Sequence, residues 1–507
     1  MKDTWYITTP IYYSNDVPHI GHAYTTVAAD FLSRWHRLQG RRVHFLTGTD
    51  EHGSKLAQAA EDKGLTPQEW VDTMAPRWKQ LWQRLDITND DFIRTTESRH
   101  KEPVARFMTE LYEKGDIYLG TYEGLYCVRC EEFKTPTEAA NGLCPVHGSP
   151  LEQLSEENYF FRLSAYNQAL IDHYTANPGA ISPERARSEV LGRLRDGLRD
   201  IPISRATVSW GIPLPWDQAH VIYVWIEALQ NYITAVGYGS DEERFGAVWP
   251  ADVHLIGKEI VWHHAIVWPA MLLAAGLELP RCVFAHGWLL AGGEKISKSG
   301  KAITQISPDE LVSQFGVDGY RYHFLRAVTF GDDGNFSLED MHARYNADLA
   351  NDIGNLASRT VAMVSRYFDG VVPGAAAAEG PEAGLLEVAR SAVVNADALV
   401  AEMRITEAIA VVWEIVRHAN RYLVEREPWK LARDEANLPL VGAILNTVAE
   451  SLARGAALLW PAMPGAMSEL WSRLGYEGEP VLEAPPAEGN RVRTADPLFP
   501  RLEDASV

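Results

Sequence analysis

Cysteine, long apolar runs and positive charge are all scarce in this chain. Only four of its 507 residues are cysteine, a density far below that of small secreted domains stabilised by disulfides. No apolar run reaches the roughly 18 residues that a membrane-spanning helix requires, and the first residues contain no apolar segment of the signal-peptide kind. We therefore expect a cytoplasmic protein that has no membrane partner.

Basic residues are outnumbered, since Lys and Arg total 47 against 68 Asp and Glu, for a net charge of −21. Nucleic-acid phosphates attract a local excess of Lys and Arg, so a chain this acidic is not a general nucleic-acid coat. RNA binding would require small basic patches. The 46% of hydrophobic and 23% of charged residues are typical of a folded globular protein, and the length predicts several domains.

The order of predicted elements indicates an α/β protein built on a parallel sheet. A β-rich run at 4–8, apolar residues at helical spacing from Ile20 to about Leu38, and a strand at 43–46 form a strand–helix–strand unit. Further strands are predicted at 254–257 and 281–286. These segments predict a doubly wound parallel sheet of the Rossmann type.

Two other regions differ in composition from this pattern. Residues from about 120 to 216 are rich in turn-forming residues and hold three of the four cysteines, which indicates an inserted module. After about Tyr345 apolar residues recur at helical spacing, and from Tyr476 the chain is rich in proline and polar residues. We predict an all-α helical bundle there, followed by an extended tail.

The string His19-Ile20-Gly21-His22 stands where a turn passes into the first predicted helix. Helix N-termini present unpaired N–H groups and a partial positive charge, so they attract phosphate. Imidazole donors at that point can stabilise charge on a reacting phosphoryl group, and Gly21 would let a flat base approach the backbone. Taken alone, the string is equally compatible with two capping or surface histidines.

A basic segment, Lys295-Ile296-Ser297-Lys298-Ser299, lies between glycines on both sides, which predict a loop. Three lysines within seven positions concentrate positive charge in an otherwise acidic protein, as a polyphosphate ligand would require. Taken alone, the segment is also compatible with an ordinary solvated basic turn. The two strings together are much more specific than either one.

Three cysteines and a histidine have the spacing of a metal site: Cys127-x-x-Cys130 and, after thirteen intervening residues, Cys144-x-x-His147. Two such pairs are typical of a tetrahedral structural zinc ion, and four protein ligands leave no open coordination position. Free thiols of a cytosolic protein are the alternative. The predicted fold class is therefore α/β, a doubly wound parallel sheet split by a zinc-containing insertion and followed by an all-α helical bundle.

The two phosphate-type strings resemble the HIGH and KMSKS signatures of class I aminoacyl-tRNA synthetases, with Ile296 in the place of Met. Within that class the chain resembles the methionyl-tRNA synthetase family, from Thr8 to Leu502. The matching segments are 10–13 (PIYY), 48–53 (GTDEHG), 223–225 (YVW), 256–260 (IGKEI), 330–331 (FG), 355–359 (NLASR) and 427–429 (EPW).

The resemblance implies that ATP activates L-methionine to methionyl-adenylate with release of pyrophosphate. The methionyl group then passes to the 3′-terminal adenosine of tRNA(Met), including initiator tRNA. Mg²⁺ would enter with ATP. The methionine carboxylate is already a nucleophile, so catalysis depends on positioning and charge stabilisation. The resemblance implies catalytic roles for His19, His22, Lys295 and Lys298, and ATP-binding roles for Gly21, Gly257, Glu259 and Lys298.

Further binding residues are carried over from the same resemblance. Asp50 would pair with the methionine ammonium group, and Arg205 would balance Asp50 and reach the carboxylate. The walls of the side-chain pocket would be Ile11, Tyr13, Trp225, Ala228, Leu229, Tyr232 and His264. In the helical part, the anticodon would contact Asn355, Arg359 and Trp429. The family often has Asp at the position of Glu259, and some relatives have Pro at that of Leu229.

The resemblance also implies a division of the chain and a monomeric state. The zinc knuckle would hold its module over the acceptor end of the tRNA. The expected parts are 1–116 and 217–290, the two halves of the catalytic domain; 117–216, a connective-peptide insertion with the knuckle; 291–345, the KMSKS loop and stem-contact region; 346–480, the helical anticodon-binding domain; and 481–507, an extended tail.

Three other classes of protein share some of these features. A small-molecule nucleotidyltransferase can carry the first string, but it has no need of the helical third of the chain. A cysteinyl-tRNA synthetase is expected to place a zinc-binding cysteine near its amino-acid pocket, and no cysteine precedes Cys127. The net charge of −21 and the two phosphate-type strings argue against a zinc-knuckle RNA-binding protein.

Overall fold

The computed structural model describes residues 3–127, 132–134, 142–145, 148–291, 294–295, 307–374 and 380–503. The chain divides into two compact units. The first comprises Met1–Val17, Leu46–Arg77 and Asp90–Ala285, and the second comprises Pro18–Phe45, Trp78–Asn89 and His286–Val507. Each unit therefore joins segments that are far apart in the sequence.

The described strands are mostly short and are numbered in chain order. They are β1 (Thr4–Thr8), β2 (Tyr12–Tyr13), β3 (Arg42–Asp50), β4 (Asp91–Arg94), β5 (Ile117–Cys127), β6 (Glu132–Lys134), β7 (Glu152–Phe161), β8 (Ile181–Ser182), β9 (Ile201–Pro202), β10 (Ser204–Arg205), β11 (Pro213–Leu214), β12 (Asp217–Ile222), β13 (Val253–Gly257), β14 (Val283–His286), β15 (Leu289–Ala291), β16 (Glu294–Lys295) and β17 (Gly334–Asn335).

The three longest of the described α-helices lie in the second half of the chain. They are α1 (Ile20–Leu38), α2 (Ser54–Glu61), α3 (Pro67–Arg84), α4 (Ser98–Glu113), α5 (Asn167–Ala176), α6 (Glu184–Arg195), α7 (Val224–Ala228), α8 (Asn231–Thr234), α9 (Glu242–Val248), α10 (Trp268–Ala275), α11 (Pro308–Arg326), α12 (Leu338–Arg344), α13 (Asn355–Tyr367), α14 (Pro381–Ala401), α15 (Ile405–Arg426), α16 (Pro428–Leu431), α17 (Leu438–Leu459) and α18 (Pro464–Arg473). Within the ranges given above, no helix has the length and apolarity to cross a membrane.

A seven-stranded sheet forms the centre of the first unit. Its strands follow the order β2-β3-β1-β13-β14-β8, and β4 also pairs with β3. Strand β1 lies between β3 and β13, so successive connections of the chain run to opposite sides of β1. Ligands of doubly wound proteins bind at such a switch point, beyond the carboxyl ends of the strands. Asp50 ends β3 and Gly257 ends β13, so this topology brings both to that edge. Aligned pairs in the parallel ladders include Ile7–Val253, Tyr12–Thr49, Leu46–Asp91 and Val283–Ile181.

An antiparallel sheet of order β6-β5-β7-β9 follows the first part of the parallel sheet along the chain. Strands β5 and β7 pair from Ile117–Phe161 to Tyr126–Glu152. Cys127 is the last residue of β5. This is the turn-rich region that the sequence indicates as an insertion. The antiparallel pairing of its strands is a feature that the sequence did not predict.

The second unit holds α1 and the C-terminal helices. Arg321, in α11, has no exposed surface, and its guanidinium donates to the Asp30 carboxylate of α1 at 2.6 Å. It also donates to the carbonyls of Leu85, Pro461 and Ala462 at 3.1, 2.8 and 3.1 Å. Burial alone would raise the pKa of Asp30, but the guanidinium groups outweigh it and hold that pKa below its usual value. A single buried cation therefore joins four separate segments of this unit.

Several predicted bounds are confirmed. The strand at Thr4–Thr8 and the helix at Ile20–Leu38 have the predicted ends. The helical bundle is present, and the described part of the chain after Tyr476 contains no helix. That tail is anchored, because Asn346 donates to the Leu502 carbonyl at 3.0 Å and Phe499 is buried.

Candidate active site

The two histidines of the HIGH-type string cap helix α1. The Gly21 N–H donates to His19 Nδ1 at 3.1 Å, and the His19 N–H donates to His22 Nδ1 at 3.2 Å. The two imidazole rings stack with centroids 3.6 Å apart. Capping of this kind satisfies N–H groups that a helix leaves unpaired at its start. The alternative of capping histidines is thus correct as a description of the local structure.

This capping fixes the tautomers of both rings. Each Nδ1 accepts a backbone N–H, so a neutral His19 or His22 carries its ring proton on Nε2. Both side chains are therefore N–H donors at a helix N-terminus, where anions are favoured. Capping and phosphate binding are compatible roles for the same two rings, because they use opposite ring nitrogens.

The structure gives a reason for a glycine at position 21 that the sequence did not suggest. A Cβ at this position would lie 3.0 Å from Cε1 of the His19 ring. The His19 ring itself therefore occupies the space beside Gly21. The Trp78 ring, fully buried, lies 4.9 Å from the His22 ring and supports it.

Tyr232 and His264, two predicted walls of the methionine pocket, form a buried hydrogen bond of 2.7 Å. His264 Nδ1 lies 3.0 Å from the Ile260 carbonyl, which can only accept, so Nδ1 carries the proton and Nε2 accepts from the Tyr232 hydroxyl. Burial lowers the pKa of His264 to about 4, against a smaller opposing effect of the Ile260 hydrogen bond. The imidazole is therefore neutral at pH 7, and the pair presents no charge to an apolar ligand.

His264 lies in a π-helical turn at His263–Val267. Such turns are rare and frequently accompany functional sites. The neighbouring His263 ring stacks on Trp225 with centroids 4.0 Å apart and an interplanar angle of 10°. Trp225 is half-buried, whereas Ala228 and Leu229 are buried.

Asp50 and Tyr13 are brought side by side by the pairing of β2 with β3. The Asp50 carbonyl accepts from the Ser14 N–H at 3.1 Å, which ties the two segments together beyond the strands. Burial raises the pKa of Tyr232, and the charge of Asp50 adds a smaller rise. Ile11 packs against the core that contains Tyr232.

Arg205 lies in a different setting from the Tyr232–His264 pair. It is 5% exposed, donates to the Ser204 carbonyl at 2.8 Å and stands 4.3 Å over the Tyr223 ring. It also lines a small open pocket together with His52 and Trp210. The predicted link between Arg205 and Asp50 remains a prediction.

Gly257 and Glu259 lie at the carboxyl end of β13. Glu259 is exposed, in a 3₁₀ turn at Lys258–Ile260. A Cβ at Gly257 would come within 2.5 Å of the Glu259 carboxylate, so the missing side chain is what allows this approach. The two predicted ATP-binding residues are thus neighbours at the edge where the topology favours a ligand.

Two of the four predicted zinc ligands can be placed. Cys127 and Cys144 are buried, and Cys127 Sγ lies 3.8 Å from the Ser149 hydroxyl. The Ser149 carbonyl accepts from the Cys144 N–H at 2.8 Å, so both cysteines contact Ser149. Among the residues with described positions, no group of three or more metal-binding side chains is found. Cys130 and His147 lie outside the described residues.

The basic segment is described only in part. Lys298 lies outside the described residues, and Lys295 is described only as the end of strand β16. Their predicted role in catalysis therefore remains a prediction from the sequence.

Two of the three predicted anticodon residues are in contact. The Arg359 guanidinium lies 5.3 Å from the centroid of the Trp429 ring, in cation–π geometry. Asn355 is exposed one helical turn before Arg359 on α13, and Trp429 is half-buried in α16. Asn355 and Arg359 come from α13 and Trp429 comes from α16. Sequence periodicity does not reveal a contact between helices that are so far apart along the chain.

The sequence missed a buried group of acidic and histidine residues. Glu227 lies between His52 and His100 with no exposed surface of its own. A single acidic residue inside the apolar run 221–229 was the available signal. His286 was missed as well; its Nδ1 faces the Gly287 carbonyl, which can only accept, so a neutral ring donates there and its Nε2 accepts from the Thr25 hydroxyl at 2.8 Å.

Comparison with known proteins gives consistent matches over the whole chain. The family model described as tRNA synthetases class I (M) matches residues 5–152 and 135–361. A methionine–tRNA ligase of Streptomyces coelicolor is 51% identical, covering 99% of this chain and 97% of that protein. One of Caldanaerobacter subterraneus is 48% identical, covering 99% and 80%. The solved structure of Mycobacterium tuberculosis methionyl-tRNA synthetase in complex with methionyl-adenylate is similar, with a TM-score of 0.95, 39% identity and coverage of 99% and 100%.

Proposed function

Because this chain belongs to the methionyl-tRNA synthetase family of class I synthetases, we propose residue by residue how it carries out the family's reaction. The family's activity is ATP-dependent joining of methionine to tRNA. The match to a methionine–tRNA ligase over 99% of the chain carries this conclusion. The same match excludes the three alternatives, which were a small-molecule nucleotidyltransferase, a cysteinyl-tRNA synthetase and a zinc-knuckle RNA-binding protein.

In the first step, the methionine carboxylate attacks the α-phosphate of ATP, and pyrophosphate leaves. Negative charge grows on phosphate oxygens, so N–H donors fixed before the reaction lower its barrier. We assign this role to Nε2–H of His19 and His22, whose Nδ1 atoms are held by the helix backbone. Lys295 and Lys298 would neutralise the β- and γ-phosphates. ATP is expected to enter as its magnesium complex.

The methionine side chain is proposed to lie against Tyr232 and His264. Both are buried, and their mutual hydrogen bond uses the Tyr232 proton and the His264 lone pair. The surface offered to the ligand is neutral and aromatic, and a thioether gains about 0.3–1.5 kcal/mol from an aromatic contact. Asp50 is proposed to pair with the ammonium group and Arg205 to reach the carboxylate. Gly257 and Glu259 are proposed to hold the adenosine of ATP.

Amino-acid-dependent exchange of pyrophosphate into ATP tests this function. The exchange is expected with methionine and not with the other nineteen amino acids. Discrimination against a side chain that differs by one methylene is limited to roughly 10–200-fold, so weak exchange with close analogues is compatible with the proposal. Exchange with cysteine alone, or with no amino acid, would contradict it.

The pair of Arg359 and Trp429 is proposed to stack on an anticodon base of tRNA(Met), initiator tRNA included, with Asn355 beside it. A Trp429→Ala variant should leave pyrophosphate exchange unchanged and lower kcat/KM for tRNA charging by roughly 5–150-fold, since base stacking contributes about 1–3 kcal/mol. Charging assays with the purified tRNA measure this. As a control, Arg390→Ala on the exposed face of α14 should charge normally. Equal losses in both reactions would contradict the anticodon role.

A structural zinc ion is proposed at Cys127, Cys130, Cys144 and His147. The contacts of both cysteines with Ser149 fit such a site, because two buried soft ligands that form no disulfide border the same residue. When bound, zinc would hold the insertion's turn in shape. Metal analysis should find about one zinc per chain, and Cys144→Ser should lose it. A Cys282→Ser control should retain it, because that thiol lies outside the turn.

The remaining parts of the proposal concern organisation. We assign catalysis to 1–116 and 217–290, and tRNA contacts to 117–216 and 291–480, with 481–507 as the extended tail. A monomeric state and a cytoplasmic location, where tRNA is charged for translation, complete the proposal.

A further inference from the structure

Glu227, His52 and His100 form a buried cluster in the first unit. Glu227 and His100 have no exposed surface, and His52 is 3% exposed. One carboxylate oxygen of Glu227 lies 2.8 Å from His52 Nδ1, and the other lies 2.9 Å from His100 Nε2. A single carboxylate therefore bonds to two imidazoles, one through each of its oxygens.

The Glu227 carboxylate is ionised in this environment. Burial alone would raise its pKa, but the charge and hydrogen bonds of His52 and His100 outweigh that effect and lower the pKa below its usual value. The cluster extends to hydroxyl groups, since Thr95 lies 3.3 Å from His52 Nδ1 and Thr234 lies 2.9 Å from His100 Nδ1. A buried hydrogen-bond network of this kind tolerates little movement of its members.

The cluster joins the segments that carry the proposed methionine site. His52 follows Asp50 by two residues, at the end of β3. Glu227 lies in α7 with Trp225 and Ala228. Through His100 the bonds continue to Thr234, which shares the short helix α8 with Tyr232.

The segment between Asp50 and His52 is held from its other side as well. The Glu51 carboxylate accepts from Thr49 at 2.7 Å and from Arg94 at 2.8 Å. The Glu51 carbonyl accepts from the Trp210 ring N–H at 2.7 Å. With this backbone fixed, the bond from His52 to Glu227 sets where α7 stands relative to Asp50.

Stability alone does not explain a buried charge at position 227. Replacing a buried ionic group with well-packed apolar residues is often neutral or stabilising, so such a group is weak evidence for stabilisation. A geometric role accounts better for a carboxylate whose two oxygens bond to two different chain segments.

We propose that Glu227 is a positioning residue for methionine, fixing through His52 and His100 the spacing between Asp50 and the aromatic wall of α7 and α8. This inference rests on the proposed methionine site. In this proposal Glu227 does not contact the substrate. It affects the recognition of methionine by holding the residues that do. ATP recognition does not depend on it.

The test separates the KM for methionine from the KM for ATP in pyrophosphate exchange. Glu227→Gln keeps the size of the side chain and removes its charge. It is expected to raise the methionine KM by roughly 10–100-fold, the cost of displacing a binding group by about an ångström. The ATP KM should stay within about twofold of the native value.

Two variants of His100 provide the matched control. Asn places its amide near the Nδ1 position and loses the bond to Glu227, whereas Gln places an N–H near the Nε2 position and can keep it. His100→Asn should therefore raise the methionine KM in the same way, and His100→Gln should recover most of the loss. These variants also decide the matter if Glu227→Gln does not fold.

The inference is overturned if folded Glu227→Gln and His100→Asn bind methionine with native KM, or if the KM values for methionine and ATP rise equally. In either case the native protein would still exchange pyrophosphate with methionine. Absence of that exchange in the native protein would instead refute the proposed function, and this inference with it.

Discussion

A His22→Asn variant is expected to form methionyl-adenylate about 10²–10³ times more slowly than the native protein, the usual effect of removing one fixed donor from a transition state. Asn retains an oxygen near the Nδ1 position, so the His19 N–H keeps its acceptor and the start of α1 stays capped. The Nε2–H that we assign to the phosphate is lost. Pyrophosphate exchange at saturating methionine and ATP measures the effect, with thermal unfolding as the parallel readout.

His22→Gln is the complementary control. Its amide oxygen can accept the His19 N–H, as Gln does at the third position of a capping box, so the start of α1 stays capped. In that arrangement the donor assigned to the phosphate is lost, so Gln should keep the native stability and lose activity as Asn does. Retention of the native rate by His22→Asn would show that this ring acts only as a cap.

An Asp50→Asn variant is expected to lower kcat/KM for methionine by roughly 10–150-fold, because hydrogen bonds to charged groups contribute about 1.5–3 kcal/mol. The change keeps the size of the side chain, and the Asp50 carbonyl that accepts from Ser14 is unaffected. The loss should fall mainly on the methionine KM, since the ammonium group is bound before and during the reaction.

Steady-state exchange at varied methionine and at varied ATP separates the two substrates. Asp62→Asn, at the exposed end of α2, is the matched control and should behave as the native protein does. A fall in kcat with an unchanged methionine KM would place Asp50 in the chemical step. That outcome would contradict its role as the ammonium partner.

Local features of the fold were predictable because they depend on neighbouring residues. The ends of β1 and α1 follow from a short β-rich run and from helical spacing after a turn. The reciprocal bonds of His19 and His22 lie within one helical turn, yet they depend on side-chain rotamers that a residue pattern does not specify. The sequence therefore located the pair and left its tautomers open.

Contacts between distant parts of the chain could be predicted only where the resemblance to a known family indicated which residues belong to one site. Glu227 bonds to partners 175 and 127 residues away, so no local pattern relates the three. The contact between Arg359 and Trp429 likewise joins separate helices. Buried polar clusters of this kind are decided by tertiary packing, which a list of motifs does not contain.

The Arg321 guanidinium limits how far the protein can be shortened. A fragment ending before Pro461 would lack two of the carbonyls to which this buried group donates. Each unmet buried donor costs about 1–3 kcal/mol, and the loss would act directly on Asp30 of α1, the helix that begins with the paired histidines. An excised catalytic core would therefore need a compensating substitution at position 321.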